Sequence, residues 1–274
     1  MSKYKYLIVT DLDGTLLNSK GELSPLTVDY VRKLNKRDDV FFSFSTGRCW
    51  RDSEKIYREL ELKGFVSCCN GALLYDPVND ISVYSYLSEL VWEGVLSNDD
   101  FFRDFLKGDV LSDKENISFD ASTDRVDLIR RLKESNGNVY GIKTYFRQLG
   151  TSEDQDNVDK RLMFLKSFEL PPYVTIYYYA HNKTINIEIQ ADYVSKEKAV
   201  EFLSNYYGVN FRNVLTYGDQ INDLPVAAGK SFCTSVKNAI DLMKFKSDKV
   251  SEFTNDEDVV VREIDLFLKK AGVL

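Results

Sequence analysis

The sequence predicts an α/β protein: a doubly wound parallel-sheet (Rossmann-like) core interrupted by an inserted α+β domain. Three observations carry this expectation. Short apolar runs, continuous rather than alternating, take turns with amphipathic segments at both ends of the chain. Between them lie about a hundred residues of different texture, polar and rich in Ser, Asp, Asn and Tyr. Acids, hydroxyls and a lysine gather where the apolar runs end, which is where open parallel sheets bind ligands.

The elements follow in order. "YKYLIVT" is the first buried strand. "SPLTVDYVRKLNKR" is a helix with Ser24 as N-cap and Pro25 at the first helical position. "VFFSFST" and "FVSCCN" read as further buried strands, with amphipathic "RDSEKIYRELEL" between them. "NGALLYDPVNDISVYSYL" reads as a hairpin. In the polar stretch, "TSEDQDNVDK" is a solvated loop or a helix start. The α/β pattern is expected to resume near "INIEIQ", followed by the helix "SKEKAVEFLSNYY" capped by Ser195. "NVLTYGD" and "KSFCTS" add two strands, and "DEDVVVREIDLFLKKAG" closes the chain, stopping at Gly272. The expected division is a core of residues 1–84 and 185–274 with an insertion at 85–184.

Composition narrows the partners. The chain has 274 residues, 36 Lys plus Arg against 43 Asp plus Glu, and a formal charge of -7. That sign argues against nucleic acid or an anionic membrane as a general partner, but not against a small anionic substrate at a local site. No apolar stretch approaches the roughly 20 residues of a membrane helix. The N-terminus lacks the apolar region and cleavage site of a signal peptide. Cys49, Cys68, Cys69 and Cys233 form no CxxC pair and His181 is the single histidine. The cysteines are therefore expected to be reduced and buried in a cytoplasmic protein, a monomer or small homo-oligomer.

The chemistry-bearing residues lie at the strand ends. "TDLDGTLLN" places Asp11 and Asp13 two residues apart after the first strand. In an extended segment both side chains would face one way, so a cation such as Mg²⁺ could sit between them. Gly14 would let the chain turn sharply. A solvated Asp-rich turn is the ordinary alternative. "FSFSTGR" ends in Thr46, whose hydroxyl and neighbouring backbone N–H groups could hold a phosphate. "TYGDQINDLP" brings Asp219, Asn222 and Asp223. "YVSKEKA" places Lys196 just inside a helix. Each has a plain structural reading alone: turn residue, helix cap, surface lysine. Together they supply carboxylates for a metal and a hydroxyl and an ammonium for an anion.

In this order the motifs resemble the haloacid dehalogenase superfamily of phosphatases. Its DxDGT motif is similar to Asp11–Thr15, its strand-end Ser or Thr to Thr46, its lysine to Lys196, and its GDxxND to Gly218–Asp223. The large insertion, "NGA" at Asn70–Ala72 and "NA" at Asn238–Ala239 resemble the Cof-like and sucrose-phosphatase-like branch. Pro225 stands where that family often has Met, and Lys237 where a glycine is usual before "NA".

The resemblance implies a Mg²⁺-dependent phosphatase of small phosphorylated metabolites, with sugar phosphates foremost. It assigns Asp11 as nucleophile and Asp13 as general acid and base. It gives the metal to Asp11, the backbone carbonyl of Asp13, and Asp219, with Asp223 supporting, and the phosphoryl oxygens to Thr46, Lys196 and Asn222. It makes the insertion a cap that chooses the substrate. A phosphomutase on the same core, or a non-catalytic binding protein, stays open. Arg48 reads as an orienting group or a structural ion pair. His181 and Tyr177–Tyr179 read as cap residues that either meet substrate or fill a small core.

Overall fold

The run YLIVT forms β1 (Tyr6–Thr10), buried at every position. A continuous apolar run demands cover on both faces, and both are covered. Leu7 and Val9 face one side, and Tyr6 and Ile8 the other. The computed structural model describes residues 4–179 and 183–272. After β1 come α1 (Pro25–Leu34), β2 (Val40–Phe44), α2 (Trp50–Glu59), β3 (Val66–Cys68), β4 (Leu73–Asp76) and β5 (Ile81–Tyr84). Next are α3 (Glu89–Ser97), β6 (Phe105–Ser112), β7 (Asn116–Asp120), α4 (Arg125–Glu134), β8 (Val139–Arg147), α5 (Ser152–Lys166), β9 (Tyr173–Tyr179) and β10 (Thr184–Gln190). The chain continues through α6 (Lys196–Tyr207), β11 (Val214–Gly218), α7 (Leu224–Ala227), β12 (Phe232–Ser235), α8 (Asp241–Lys246), β13 (Lys249–Val250) and α9 (Val259–Lys270).

Tyr84–Val194 is one compact unit, and the flanking segments, up to Val83 and from Ser195, form the other. The flanking unit holds a parallel sheet of order β13–β12–β11–β1–β2. Ala199, Val200 and Leu203 of α6 pack on the face carrying Leu7 and Val9. Phe267 of α9 meets Tyr6 on the opposite face, ring centroids 5.4 Å apart. Two caps form as the sequence predicts: Ser24 Oγ accepts from Thr27 N at 3.0 Å, and Ser195 Oγ from Lys198 N at 3.2 Å. Register aligns the ends that matter, because Thr10 pairs with Tyr217 on one side and Phe44 on the other. The residues just beyond β1, β2 and β11 are thus Asp11, Ser45 and Asp219.

Two expectations change. "FVSCCN" is not a strand of the parallel sheet. Its β3 pairs antiparallel with β4 in a separate sheet of order β3–β4–β5, and only an isolated parallel bridge, Ser45 to Ser67, ties it to the chain after β2. Asn70, in the left-handed region at φ 54°, turns the chain straight back, and so short a connection permits only antiparallel pairing. The second change is the boundary at 184/185. "INIEIQ" becomes β10, antiparallel to both β8 and β9, so the unit extends to Val194. The physical signal was alternation: Ile185, Ile187 and Ile189 enter the core while Asn186, Glu188 and Gln190 face the other way.

The Tyr84–Val194 unit has one sheet of order β7–β6–β8–β10–β9. Helices α3, α4 and α5 cover one face through Val91, Val95, Leu128, Val158 and Leu165. Register places Lys143, Tyr145, Asn186, Glu188 and Tyr177 together on the other face. Lys143 Nζ lies 3.5 Å from Glu188 Oε1 there. Tyr177 and Tyr179 stack with centroids 6.1 Å apart, while Tyr178 points away and is half exposed. His181 lies outside the described residues. All four cysteines are buried thiols. Among the described residues, no helix is long and apolar enough to cross a membrane.

Candidate active site

Asp11 extends the ladder one step past β1, its amide donating to Tyr217 O at 2.9 Å. The chain then leaves the extended conformation, and Gly14 takes φ +73°. The premise that Asp11 and Asp13 face one way fails here, because alternation holds only while a strand continues. Asp11 is buried, whereas the Asp13 side chain is half exposed and paired with Arg48, Nε to Oδ2 at 2.7 Å. Of the two readings for Arg48, the ion pair is the one the structure contains.

Asp11 converges instead with the second acidic motif. Carboxylate oxygens of Asp11, Asp219 and Asp223 all lie within 4.8 Å of one another. Lys196 enters from the first turn of α6 with 1% of its side chain exposed, its Nζ 2.7 Å from Asp11 Oδ1 and 2.7 Å from Asp223 Oδ1. Asp223 spends its other oxygen on backbone, accepting from Asp219 N at 3.0 Å and Gln220 N at 3.1 Å. It therefore ties the Asp219 loop to Lys196. Asp219 Oδ1 accepts from Thr15 Oγ1 at 2.9 Å.

Two glycines make this approach possible. A Cβ on Gly14 would fall 2.5 Å from Asp219 Oδ2, so any other residue would displace that carboxylate. A Cβ on Gly71 would fall 2.6 Å from Ser195 O, blocking the start of α6 and with it Lys196. The "NGA" segment thus acts as a spacer beside the lysine.

The electrostatics are those of a site short of positive charge. Three carboxylates face one ammonium, leaving two negative charges when all are ionised. Burial pushes the Asp11 carboxyl well above its ordinary range, Asp223 and Asp219 add to this, and Lys196 opposes it. Burial and Asp223 push Asp219 up to about 7. Burial alone would lower the Lys196 ammonium, but Asp11 and Asp223 outweigh it and hold it above its usual value. Hard oxygen donors with unbalanced negative charge fit a divalent cation, and Asp11, Asp219 and Asp223 are the side chains able to hold Mg²⁺. Nearby, Asn222 Oδ1 is buried with no donor among the described residues, an acceptor that a bound water or a ligand hydroxyl would satisfy.

The remaining sequence-predicted residues sit around this cluster. Thr46 is buried just beyond β2, its Oγ1 accepting from Arg48 N at 3.2 Å. Asn222 Nδ2 donates to Asn70 Oδ1 at 2.9 Å, so Asn70 orients the amide expected to meet phosphate. Sequence reasoning did not assign work to Thr15, Asn70 or Asn238, whose Nδ2 donates to Gly14 O at 2.8 Å. Their signal was membership of the quoted motifs, without any indication of the partner.

A sequence profile of the haloacid dehalogenase-like hydrolases matches residues 8–264. The chain belongs to that family. It is 27% identical over 281 residues to the 5-amino-6-(5-phospho-D-ribitylamino)uracil phosphatase YitU of Bacillus subtilis (strain 168), covering 98% of each chain. It is 24% identical over 262 residues to the 5-amino-6-(5-phospho-D-ribitylamino)uracil phosphatase YcsE of the same organism, covering 94% of each. A solved haloacid dehalogenase-like hydrolase from B. subtilis superposes with TM-score 0.74 at 20% identity, over 95% of this chain and 99% of that one, a likeness of fold. As a haloacid dehalogenase-like hydrolase whose relatives are phosphatases, the protein is a phosphoric monoester hydrolase.

Proposed function

We propose that the protein hydrolyses small phosphorylated sugars or polyols, with Mg²⁺, through a phosphoryl group carried on Asp11. The observation that carries this reading is the buried Lys196 ammonium shared between Asp11 and Asp223 at 2.7 Å each, beside Asp219. A buried lysine with two acids at one sheet end is an expensive arrangement, and structural need alone would be met by apolar residues.

The steps follow from the chain's own groups. An Asp11 carboxylate oxygen attacks phosphorus, the ester P–O bond breaks, and Asp13 delivers a proton to the leaving oxygen. Asp13 then takes a proton from the water that attacks the aspartyl-phosphate, and Asp11 is regenerated as phosphate leaves. Asp13 reaches this role by exchanging its Arg48 partner for the leaving oxygen. Lys196, Thr46 and Asn222 hold the phosphoryl oxygens. Asp11, Asp219 and the Asp13 carbonyl, with Asp223 behind them, would hold Mg²⁺, which would supply positive charge against the nucleophile and the phosphoryl group.

Two relatives are named for a phosphoribityl compound, which supports a polyol phosphate as the substrate class. We assign leaving-group selection to the polar sheet face of the Tyr84–Val194 unit, where Lys143, Tyr145, Tyr177 and Glu188 offer hydrogen bonds and flat rings. The test is a panel of sugar and polyol phosphates with Mg²⁺, scored for inorganic phosphate and for transfer between substrate positions. Release of phosphate is the expected result. Transfer without release would mean a mutase, and binding with no turnover on any ester would leave a non-catalytic protein.

A further inference from the structure

The Tyr84–Val194 unit contains a cavity of about 390 Å³ whose lining residues all belong to that unit. Four of them, Asn157, Lys160, Arg161 and Phe164, recur at helical spacing along one face of α5. Arg161 is 4% exposed. Its Nε donates to Phe101 O at 2.8 Å, its Nη2 donates to Arg103 O, and its plane lies 3.8 Å from the Phe146 ring centroid. No acceptor among the described residues meets its Nη1. Asn157 is 8% exposed and lines the same cavity, yet its side-chain amide has no hydrogen-bond partner among the described residues.

Among the described residues the one fully buried side-chain polar atom without a partner is Asn222 Oδ1, so the Asn157 amide and Arg161 Nη1 reach the water of the cavity, where a ligand can replace it. A cation as buried as Arg161 is nearly always paired with an anion. Among the described residues no carboxylate is paired with the guanidinium, and burial holds Arg161 down to about 10 despite the more distant Asp104. The rim adds exposed Lys160 and Arg103, with Asp100 the one acid in the lining, 3.8 Å from Arg103. Phe101 and Phe164 supply apolar wall. On a chain of net charge -7, a cavity with three cations against one exposed acid is a local reversal of sign.

We infer that this cavity is a binding site for the oxyanion group, phosphate or carboxylate, of a small molecule that has an apolar or aromatic body. The oxyanion accepts from Arg161 Nη1 and the Asn157 amide at the floor, with Lys160 closing over it. The body lies against Phe101 and Phe164. The volume is within the range of small-molecule sites, at the lower end. The site is separate from the phosphatase reading: every residue proposed for the chemistry lies outside this unit, and those proposed for leaving-group selection lie on the sheet face opposite the one α5 covers.

The test uses the whole protein in metal-free buffer, where the acidic cluster does not attract anions. Inorganic phosphate, phenylphosphonate and benzoate are the probes, and none can be hydrolysed. The readouts are calorimetric titration and the Arg161 Nε–Hε NMR resonance, assigned by its loss in Arg161→Lys. At least one probe is expected to saturate at millimolar concentration or below and to shift that resonance. Phenylphosphonate binding would assign the oxyanion to a phosphoryl group, and benzoate binding to a carboxylate. Asn157→Asp and Lys160→Glu are expected to weaken binding by roughly tenfold or more, as loss of a charge-assisted hydrogen bond does. Thr46→Ala is expected to leave it unchanged. The inference is overturned if no probe moves the Arg161 resonance, or if Asn157→Asp, still folded by its spectrum, binds as before. It is equally overturned if Thr46→Ala abolishes binding, which would place the anion among the phosphatase residues.

Discussion

Lys196→Met removes an ammonium from the interior and keeps most of the side chain's volume. The side chains of Lys196, Asp11 and Asp223 are 1%, 7% and 4% exposed, so water cannot take over the lost contacts. Removing one member of a buried ion pair typically costs about 3–5 kcal/mol, because the partner is left charged and unsolvated. Part is recovered here, since burial already raises the Asp11 carboxyl and a proton can replace the ammonium. Each pH unit by which that proton must be forced on costs about 1.4 kcal/mol. We therefore expect a net loss of about 2–4 kcal/mol near pH 8 in metal-free buffer, and a smaller loss near pH 5. The sign follows from Asp11: Lys196 stabilises its ionised form, so this part of the benefit fades as pH falls and the raised Asp11 carboxyl protonates. Urea unfolding at the two pH values measures this, with a midpoint shift on the order of 1–2 M at the higher pH. Turnover with Mg²⁺ should drop by a similar factor on every ester. A loss under about 1 kcal/mol, or one equal at both pH values, would refute the claim that the ammonium balances buried carboxylates.

Four further outcomes are expected. Asp11→Asn should fold and abolish turnover, while Asp13→Asn should slow it by roughly two to four decades; measurable steady turnover in Asp11→Asn would point to another nucleophile. In metal-free protein, stability should decline as pH rises from the ordinary carboxylate range toward 7, because folded Asp11 and Asp219 bind protons more tightly than the unfolded chain does. Mg²⁺ should remove that decline and raise Tm, chelator should abolish activity, and Tm series with and without Mg²⁺ check both. Gly14→Ala should weaken Mg²⁺ affinity more than it lowers Tm, since the new methyl group meets Asp219 Oδ2; unchanged affinity by calorimetry would contradict this. Lys143→Ala and Tyr145→Ala should reorder the substrate panel, whereas Thr46→Ala should lower all its members alike; a uniform loss from the first two would deny the sheet face its proposed role.

Local sequence made most elements of the flanking segments and the order of the chemistry-bearing residues legible, but not the elements of the insertion. Continuous apolar runs specify strands covered on both faces, and β1, β2, β11 and β12 fall where those runs are. Ser24 and Ser195 mark helix starts because capping is local chemistry, readable from a few adjacent residues. Asp11, Thr46 and Asp219 follow β1, β2 and β11 of the parallel sheet, whose ends gather on one edge whatever the intervening chain, whereas Lys196 comes from the first turn of α6, after a strand of the other sheet. Tertiary structure alone decided which partners those residues took. Asp13 went to Arg48 and Asp11 to Lys196, a choice made by the turn at Gly14 and by how closely α6 approaches Gly71. β3 left the parallel sheet, and β10 joined the other unit, because strand partnership is a long-range contact that a run of apolar residues does not encode. The same holds for α5: its spacing marks Asn157 and Arg161 as neighbours, but only the folded unit leaves a buried amide and a buried guanidinium facing a cavity together. Periodicity and capping are written in short windows of sequence, whereas the charge that faces a given charge depends on packing between segments far apart in the chain.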